Sequence, residues 1–179
     1  MKRPRAARLG YLEIPGEATR RDYAVYVIVA QHRKTGEARL YVGKTGDNRV
    51  GCNPVISRVG NHFSFNKVHS QVRNKLSRNP ADHNFKIFYT TFGGYVNPSE
   101  SRERIDVINE MERRLNKLTQ NAFGRMVINP YEERTKLRRW KRKERQALAT
   151  PERMRQLEDM VDAVRKKMET GSAVNGYES

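Results

Sequence analysis

The sequence is poor in the features that would place it in several large protein classes. It has a single cysteine, Cys52, so neither a disulfide framework nor a cysteine-based zinc site can be built from it, and the lone thiol fits a reducing cytoplasm. No apolar run approaches the ~20 residues that a membrane span needs, which argues against a membrane partner. The basic start, Met1-Lys2-Arg3-Pro4-Arg5, is not followed by a hydrophobic segment, so it reads as a flexible basic arm over residues 1–21 and not as a secretory signal. There is no phosphate-binding glycine loop, no dinucleotide glycine pattern and no serine-centred elbow. The four histidines (His32, His62, His69 and His83) show no zinc-type spacing with cysteine or glutamate.

Acidic residues are also scarce. Lys and Arg total 36 against 20 Asp and Glu, a formal net charge of +16 over 179 residues. A chain this basic repels itself, and a polyanion relieves the repulsion. Nucleic acid is the expected partner, because neutralising phosphates releases counterions and drives binding. Charge speaks to the partner and leaves the reaction, if any, open.

Hydrophobic patterning sets out the elements. Tyr23 to Ala30 is rich in β-branched and aromatic residues and apolar on both faces, as a buried strand should be. The polar stretch Arg33-Lys34-Thr35-Gly36-Glu37 reads as a hairpin loop leading to a second strand, Arg39 to Val42, which should pair with the first antiparallel. Pro54 opens a helix expected from about Val55 to Leu76, with Gly60 and Ser64-Phe65-Asn66 as weak points. Asn84 to Phe92 is the third strand. A long helix, capped at Ser99 and with Glu100 and Glu103 in its first turn, runs to about Leu118. Two polar helices follow, from about Tyr131 to Leu148 and from Thr150-Pro151-Glu152 to about Met168, and the tail (170–179) reads as disordered. The expected fold is α+β: a small three-stranded antiparallel sheet flanked by helices (a β-β-α-β-α core over residues 22–130) with a basic C-terminal helical extension over residues 131–169.

Several residues could carry chemistry. Tyr26 lies in the first strand and Tyr41 near the end of the second, where Gly43 and Lys44 follow; each tyrosine alone is an ordinary strand residue. A phenol is a poor base unless a cation such as Lys44 favours the phenolate. Arg58 and His62, four apart on a helix, share a face. They form either a solvated basic surface or a phosphate clamp in which the guanidinium forks onto phosphate oxygens and the imidazole orients water or donates a proton. On the long helix, Ile105, Ile108, Met111, Leu115 and Leu118 make an apolar stripe. Glu112 falls at its margin, where a carboxylate can point into a cleft, and Glu110 on the far, solvated side. The alternative for Glu112 is an ion pair or hydrogen bond with Arg113, Arg114 or Asn116. From Glu133 to Arg145 the chain carries eight basic residues against two acidic, with Arg138, Arg139, Lys141, Arg142 and Lys143 as candidate nucleic-acid contacts and Trp140 among them. The last helix, with Met154, Leu157, Met160, Val161 and Val164 at helical spacing, either folds back on the core or pairs with a second copy.

Taken together, these residues resemble the GIY-YIG nuclease family. Ala24-Val25-Tyr26 stands where its first signature ends in tyrosine, and Tyr41-Val42-Gly43 where its second begins with one. Lys44 follows, Arg58 and His62 match positions on the first helix, and Glu112, with Leu115 after it, matches the glutamate of the last core helix. The first glycine of the signature is Ala24 here, and the stretch between Lys44 and Arg58 is longer than in repair-type members. The choice between Glu112 and Glu110, and the place of Asn129, stay open. The resemblance implies hydrolysis of DNA with one divalent ion, Mg2+ or Mn2+, on Glu112. It also implies Arg58 on the scissile phosphate, Tyr41 helped by Lys44 as proton acceptor, and Tyr26 and His62 in the surrounding network. A restriction-like endonuclease cutting both strands, as a homodimer or by sequential nicking, is the first expectation. A homing, mobile-element, single-strand or repair nuclease is the second, and a non-catalytic nucleic-acid binder the alternative of another class.

Overall fold

A computed structural model describes residues 11–46, 53–65, 68–76, 79–96, 102–132 and 139–173. Three strands, β1 (Asp22–His32), β2 (Ala38–Thr45) and β3 (His83–Gly94), form one antiparallel sheet in the order β2-β1-β3. The β1–β2 hairpin closes through His32 N–H donating to Glu37 O and Gly36 N–H to His32 O. Gly36 takes φ of 71°, a left-handed conformation suited to glycine.

Strand alternation divides β1 between two cores. Tyr23, Val25, Val27 and Val29, with Leu40 and Val42 of β2, pack against α3 (Arg102–Phe123) and α5 (Pro151–Ala173). Ala24, Tyr26, Ile28, Ala30 and Tyr41 face α1 (Val55–Asn61) and α2 (Gln71–Lys75). The sheet is therefore covered on both sides, which is why β1 reads apolar at successive positions. The α+β reading holds, with three strands in one antiparallel sheet and the first two paired as expected.

The differences lie at element ends and in the helices. β2 runs on to Thr45, so Lys44 is a strand residue. The single helix expected over Val55–Leu76 is two short ones, because the chain turns out after His62 and its polar groups pair locally: Ser64 Oγ donates to Asn61 O, and Ser64 and Ser70 bond to each other. Helix α3 continues to Phe123, while Ser99 and Glu100 lie outside the described residues. The first polar helix, α4 (Arg139–Leu148), does not include Tyr131 and Glu132, which have no regular structure. Part of the N-terminal arm is built in: Gly16–Thr19 forms a 3-10 turn and Ala18 is buried. Helix α5 continues past Met168 to Ala173, and residues 174–179 lie outside the described residues.

The last helix folds back. Thr150 precedes it, its Oγ1 accepting from Arg153 N–H, with Pro151 in the first turn where a missing N–H costs nothing. Leu157, Met160, Val161 and Val164 are buried in the same core as α3. One face of the C-terminal helical extension is thus part of the core. Leu157 is fully buried; Leu157→Ala should cost about 2–5 kcal/mol, read as a lowered denaturant midpoint. Wild-type stability in that variant would show that α5 is dispensable. Among the described residues no helix is long and apolar enough to cross a membrane.

Candidate active site

The sheet brings the two tyrosines together. In the β1–β2 register Tyr26 pairs with Gly43 and Ile28 with Tyr41, so both phenols lie on the α1 side of the sheet two residues apart along the ladder. Helix α1 is held to this face by buried Val55 and Val59, and that docking presents Arg58 and His62 to the same place. The Tyr26 hydroxyl and His62 Nε2 are 2.6 Å apart, and the His62 ring centre is 4.7 Å from that of Tyr41. His62 is fully buried.

Glu112 comes from the opposite layer, on α3, and reaches the same end of the sheet. Lys44 of β2 donates to Glu112 Oε2 at 2.8 Å, and the carboxylate side chain remains 31% exposed. The charges of Arg58 and Glu112 are felt at both phenols, so guanidinium, carboxylate and tyrosines share one electrostatic environment.

Burial dominates the protonation states. It pushes Tyr41 up to about 12; Glu112 adds to the rise and Arg58 opposes it. Tyr26 is raised well beyond the ordinary phenol range, first by burial and then by Tyr41, with Arg58 again opposing. His62 is lowered to about 4 by burial and then by Arg58. At neutral pH the cluster holds two neutral phenols and a neutral imidazole. The help expected for Tyr41 from Lys44 is therefore reassigned: Lys44 pairs with Glu112, and Arg58 is the cation that favours the phenolate.

Two polar atoms here, Arg58 Nε and His62 Nδ1, are buried without a hydrogen-bond partner among the described residues. An unsatisfied buried donor costs free energy and calls for a reason. An anionic oxygen is the acceptor a guanidinium N–H binds most strongly.

Asn129 stands against the edge strand. Its Oδ1 accepts from Val42 N–H at 3.0 Å and its Nδ2 donates to Val42 O at 2.7 Å, while Ile128 N–H donates to Leu40 O. Asn116 of α3 in turn donates to Asn129 O. This side chain completes the β2 ladder beside Tyr41 and ties it to the helix that carries Glu112. The sequence left the place of Asn129 open, because its partner Val42 lies 87 residues away.

Glu110 corrects the expectation of a solvated side chain. It is only 3% exposed and binds Arg113 and Arg114, the former through both carboxylate oxygens. With its oxygens engaged by two guanidinium groups, Glu110 is a structural anchor, whereas Glu112 keeps an exposed flank. A cleft of about 960 Å³ runs along this side of α3, with Lys75, Glu112, Asn129, Trp140, Lys141 and Arg145 in its walls. The tyrosines, Arg58 and His62 do not line it, so it meets the cluster at Glu112 and Asn129. Its walls mix acidic and basic residues and are not uniformly positive. Of the candidate nucleic-acid contacts, Lys141 borders this cleft; Arg142 and Lys143 are exposed elsewhere on α4, Arg139 is its first residue, and Arg138 lies outside the described residues.

Among the described residues no three His, Cys, Asp or Glu side chains cluster to enclose a metal. A single half-exposed carboxylate is still a suitable donor for Mg2+, which keeps most of its waters and takes one or two carboxylates. Glu112 meets that description once it shares or releases Lys44.

Comparison with known proteins adds nothing to the geometry. No family model, curated protein or solved structure matches the chain.

Proposed function

We propose that the chain is a divalent-metal-dependent DNA endonuclease of the GIY-YIG type that hydrolyses phosphodiester bonds, in the manner of restriction enzymes. The observation that carries the proposal is the meeting of Tyr26, Tyr41, Arg58 and His62 from one layer with Glu112 and Lys44 from the other. Phosphate oxygens accept from Arg58, whose buried Nε–H has no other partner among the described residues. Tyr41, in the fraction present as phenolate, accepts a proton from the attacking water as the water oxygen bonds to phosphorus and the P–O bond to the leaving strand end breaks. Tyr26 and His62, hydrogen-bonded and buried, hold the geometry around it. Glu112 holds Mg2+ or Mn2+, which when bound neutralises charge on the scissile phosphate. Lys44 fixes the carboxylate and balances its charge in the absence of the ion.

Tyr41 as the proton acceptor has a kinetic consequence. With its pKa raised to about 12, the phenolate fraction grows about tenfold per pH unit well above neutrality. The cleavage rate constant under single-turnover conditions should climb with that slope from about pH 7 to about pH 9. A plateau beginning near neutrality would remove Tyr41 from the role.

The test of the proposal is supercoiled plasmid incubated with Mg2+ or Mn2+, beside Glu112→Gln. Discrete products that vanish in the variant support the nuclease, and mapping their ends separates restriction-like cutting from homing or repair-type nicking. A wild-type protein that retards DNA in a gel yet cuts with neither ion is a nucleic-acid binder, and the proposal fails.

A further inference from the structure

Between α1 and α2 the chain makes an excursion that the site chemistry leaves unused. Its base is tied shut. Ser64 and Ser70 share a hydrogen bond at 2.9 Å, Arg73 N–H donates to His62 O, and Arg73 Nε donates to Phe63 O. Phe63 anchors the near side by packing on Phe85 of β3, ring centres 4.6 Å apart. What this pinned base supports is apolar and turned to solvent: Phe65 is 86% exposed and Val68 is 71% exposed.

A large aromatic ring held this far into water is costly, because its apolar surface contributes nothing to the core. It is also not free to collapse. The Arg73 guanidinium stacks 3.9 Å from the Phe65 ring centre and covers one face. An aromatic face backed by a cation suits a nucleobase joined to a phosphate: the ring stacks on the base and the guanidinium meets the backbone. The chain's net charge of +16 favours a polyanion over a second copy of the chain as the occupant. The position agrees, since His62, the residue at the end of α1, accepts a backbone bond from Arg73 and lies three residues before Phe65.

We propose that Phe65, backed by Arg73, is a DNA-stacking wedge that engages a base step next to the phosphate held by Arg58. The proposal rests on the nuclease reading for its location, though not for its test. Wedges of this kind unstack a step and bend the duplex, which makes binding depend on how easily that step deforms. Phe65 would thus set selectivity without reading base edges.

The experiment uses the full chain carrying Glu112→Gln, so that binding is measured without cutting. The reporter is Phe65→Trp in a Trp140→Phe background, which removes the single native tryptophan. The probe is a random-sequence DNA duplex. Stacking should quench the new tryptophan on DNA binding, and Phe65→Ala or Phe65→Leu should each weaken affinity by roughly 5- to 100-fold. Phe65→Leu separates stacking from mere hydrophobicity, and Phe65 is exposed, so neither variant threatens the fold. Unquenched tryptophan with unchanged affinity overturns the wedge even if wild-type protein cuts plasmid. A quenched tryptophan in a protein that never cuts keeps the wedge and removes the nuclease. A Phe65→Ala change in oligomeric state with DNA affinity intact also overturns the wedge, by assigning the patch to a second copy of the chain.

Discussion

Arg58→Ala is expected to lower DNA cleavage by about 10²–10³-fold or more, with the fold intact. The side chain is partly exposed, and its Nε is buried with no partner among the described residues. Removing it relieves that unsatisfied donor and gives up the side-chain hydrogen bond that Arg58 shares with Tyr26, two changes that oppose each other in stability. The loss falls on the reaction for two reasons. The guanidinium offers a planar fork to a phosphate whose charge grows in the transition state. It is also the charge that opposes the raised pKa of Tyr41 and contributes to the lowered pKa of His62. Without it the Tyr41 pKa rises further, so at a given pH less phenolate is present and the pH–rate profile shifts to the alkaline side. His62 rises as well, from about 4 back toward its ordinary value. Arg58→Lys should restore the charge but not the fork, and recover only part of the rate. Single-turnover cleavage across a pH series measures both effects. A variant that cuts at the wild-type rate would remove Arg58 from the phosphate, and an unshifted profile would remove it from the control of Tyr41.

The sheet was legible because it is written in short range. β1 is an apolar run long enough to be covered on both faces, and Gly36 marks a turn whose backbone takes φ of 71°. Arg58 and His62 also follow from local periodicity, since four residues of helix suffice to align them. Glu110 shows where that logic stops. A helical wheel places it opposite the stripe that faces the sheet, and it does lie there. It is buried because Arg113 and Arg114 fold over it and the cleft wall, with α4 beyond, closes that side. The arginines were within reach of the wheel, but the second cover was not. Asn129 is the same lesson at longer range: its amide takes the place of a strand neighbour for Val42, a role that exists only once both segments are packed. Lys44 pairs with Glu112 and not with Tyr41, because β2 extends to Thr45 and alternation turns Lys44 to the layer of α3.

Gly43→Ala tests how tightly the cluster is built. Nothing about the backbone demands glycine here, for Gly43 has no left-handed φ. The demand comes from space. A Cβ at this position would lie 2.5 Å from both Cζ and Oη of Tyr26 and 2.6 Å from Cε2. Real atoms do not approach so closely, and the Tyr26 ring has nowhere to go, being fully buried and hydrogen-bonded to His62. Overpacking of this kind costs about 1–3 kcal/mol, occasionally more. For a chain of this size, each kcal/mol lowers Tm by roughly 2–4 °C. Cleavage should fall further than the stability change alone explains, because the displaced phenol is hydrogen-bonded to His62, whose ring packs on Tyr41. The decisive comparison is a double-mutant cycle. In a Tyr26→Ala background the ring is gone and the added methyl group enters the space it leaves, so Gly43→Ala should become nearly neutral or stabilising. The coupling between the two sites should then be on the order of 1–3 kcal/mol. Additive effects would mean that the glycine and the ring do not touch, and that Tyr26 is not held over β2 by the residue opposite it.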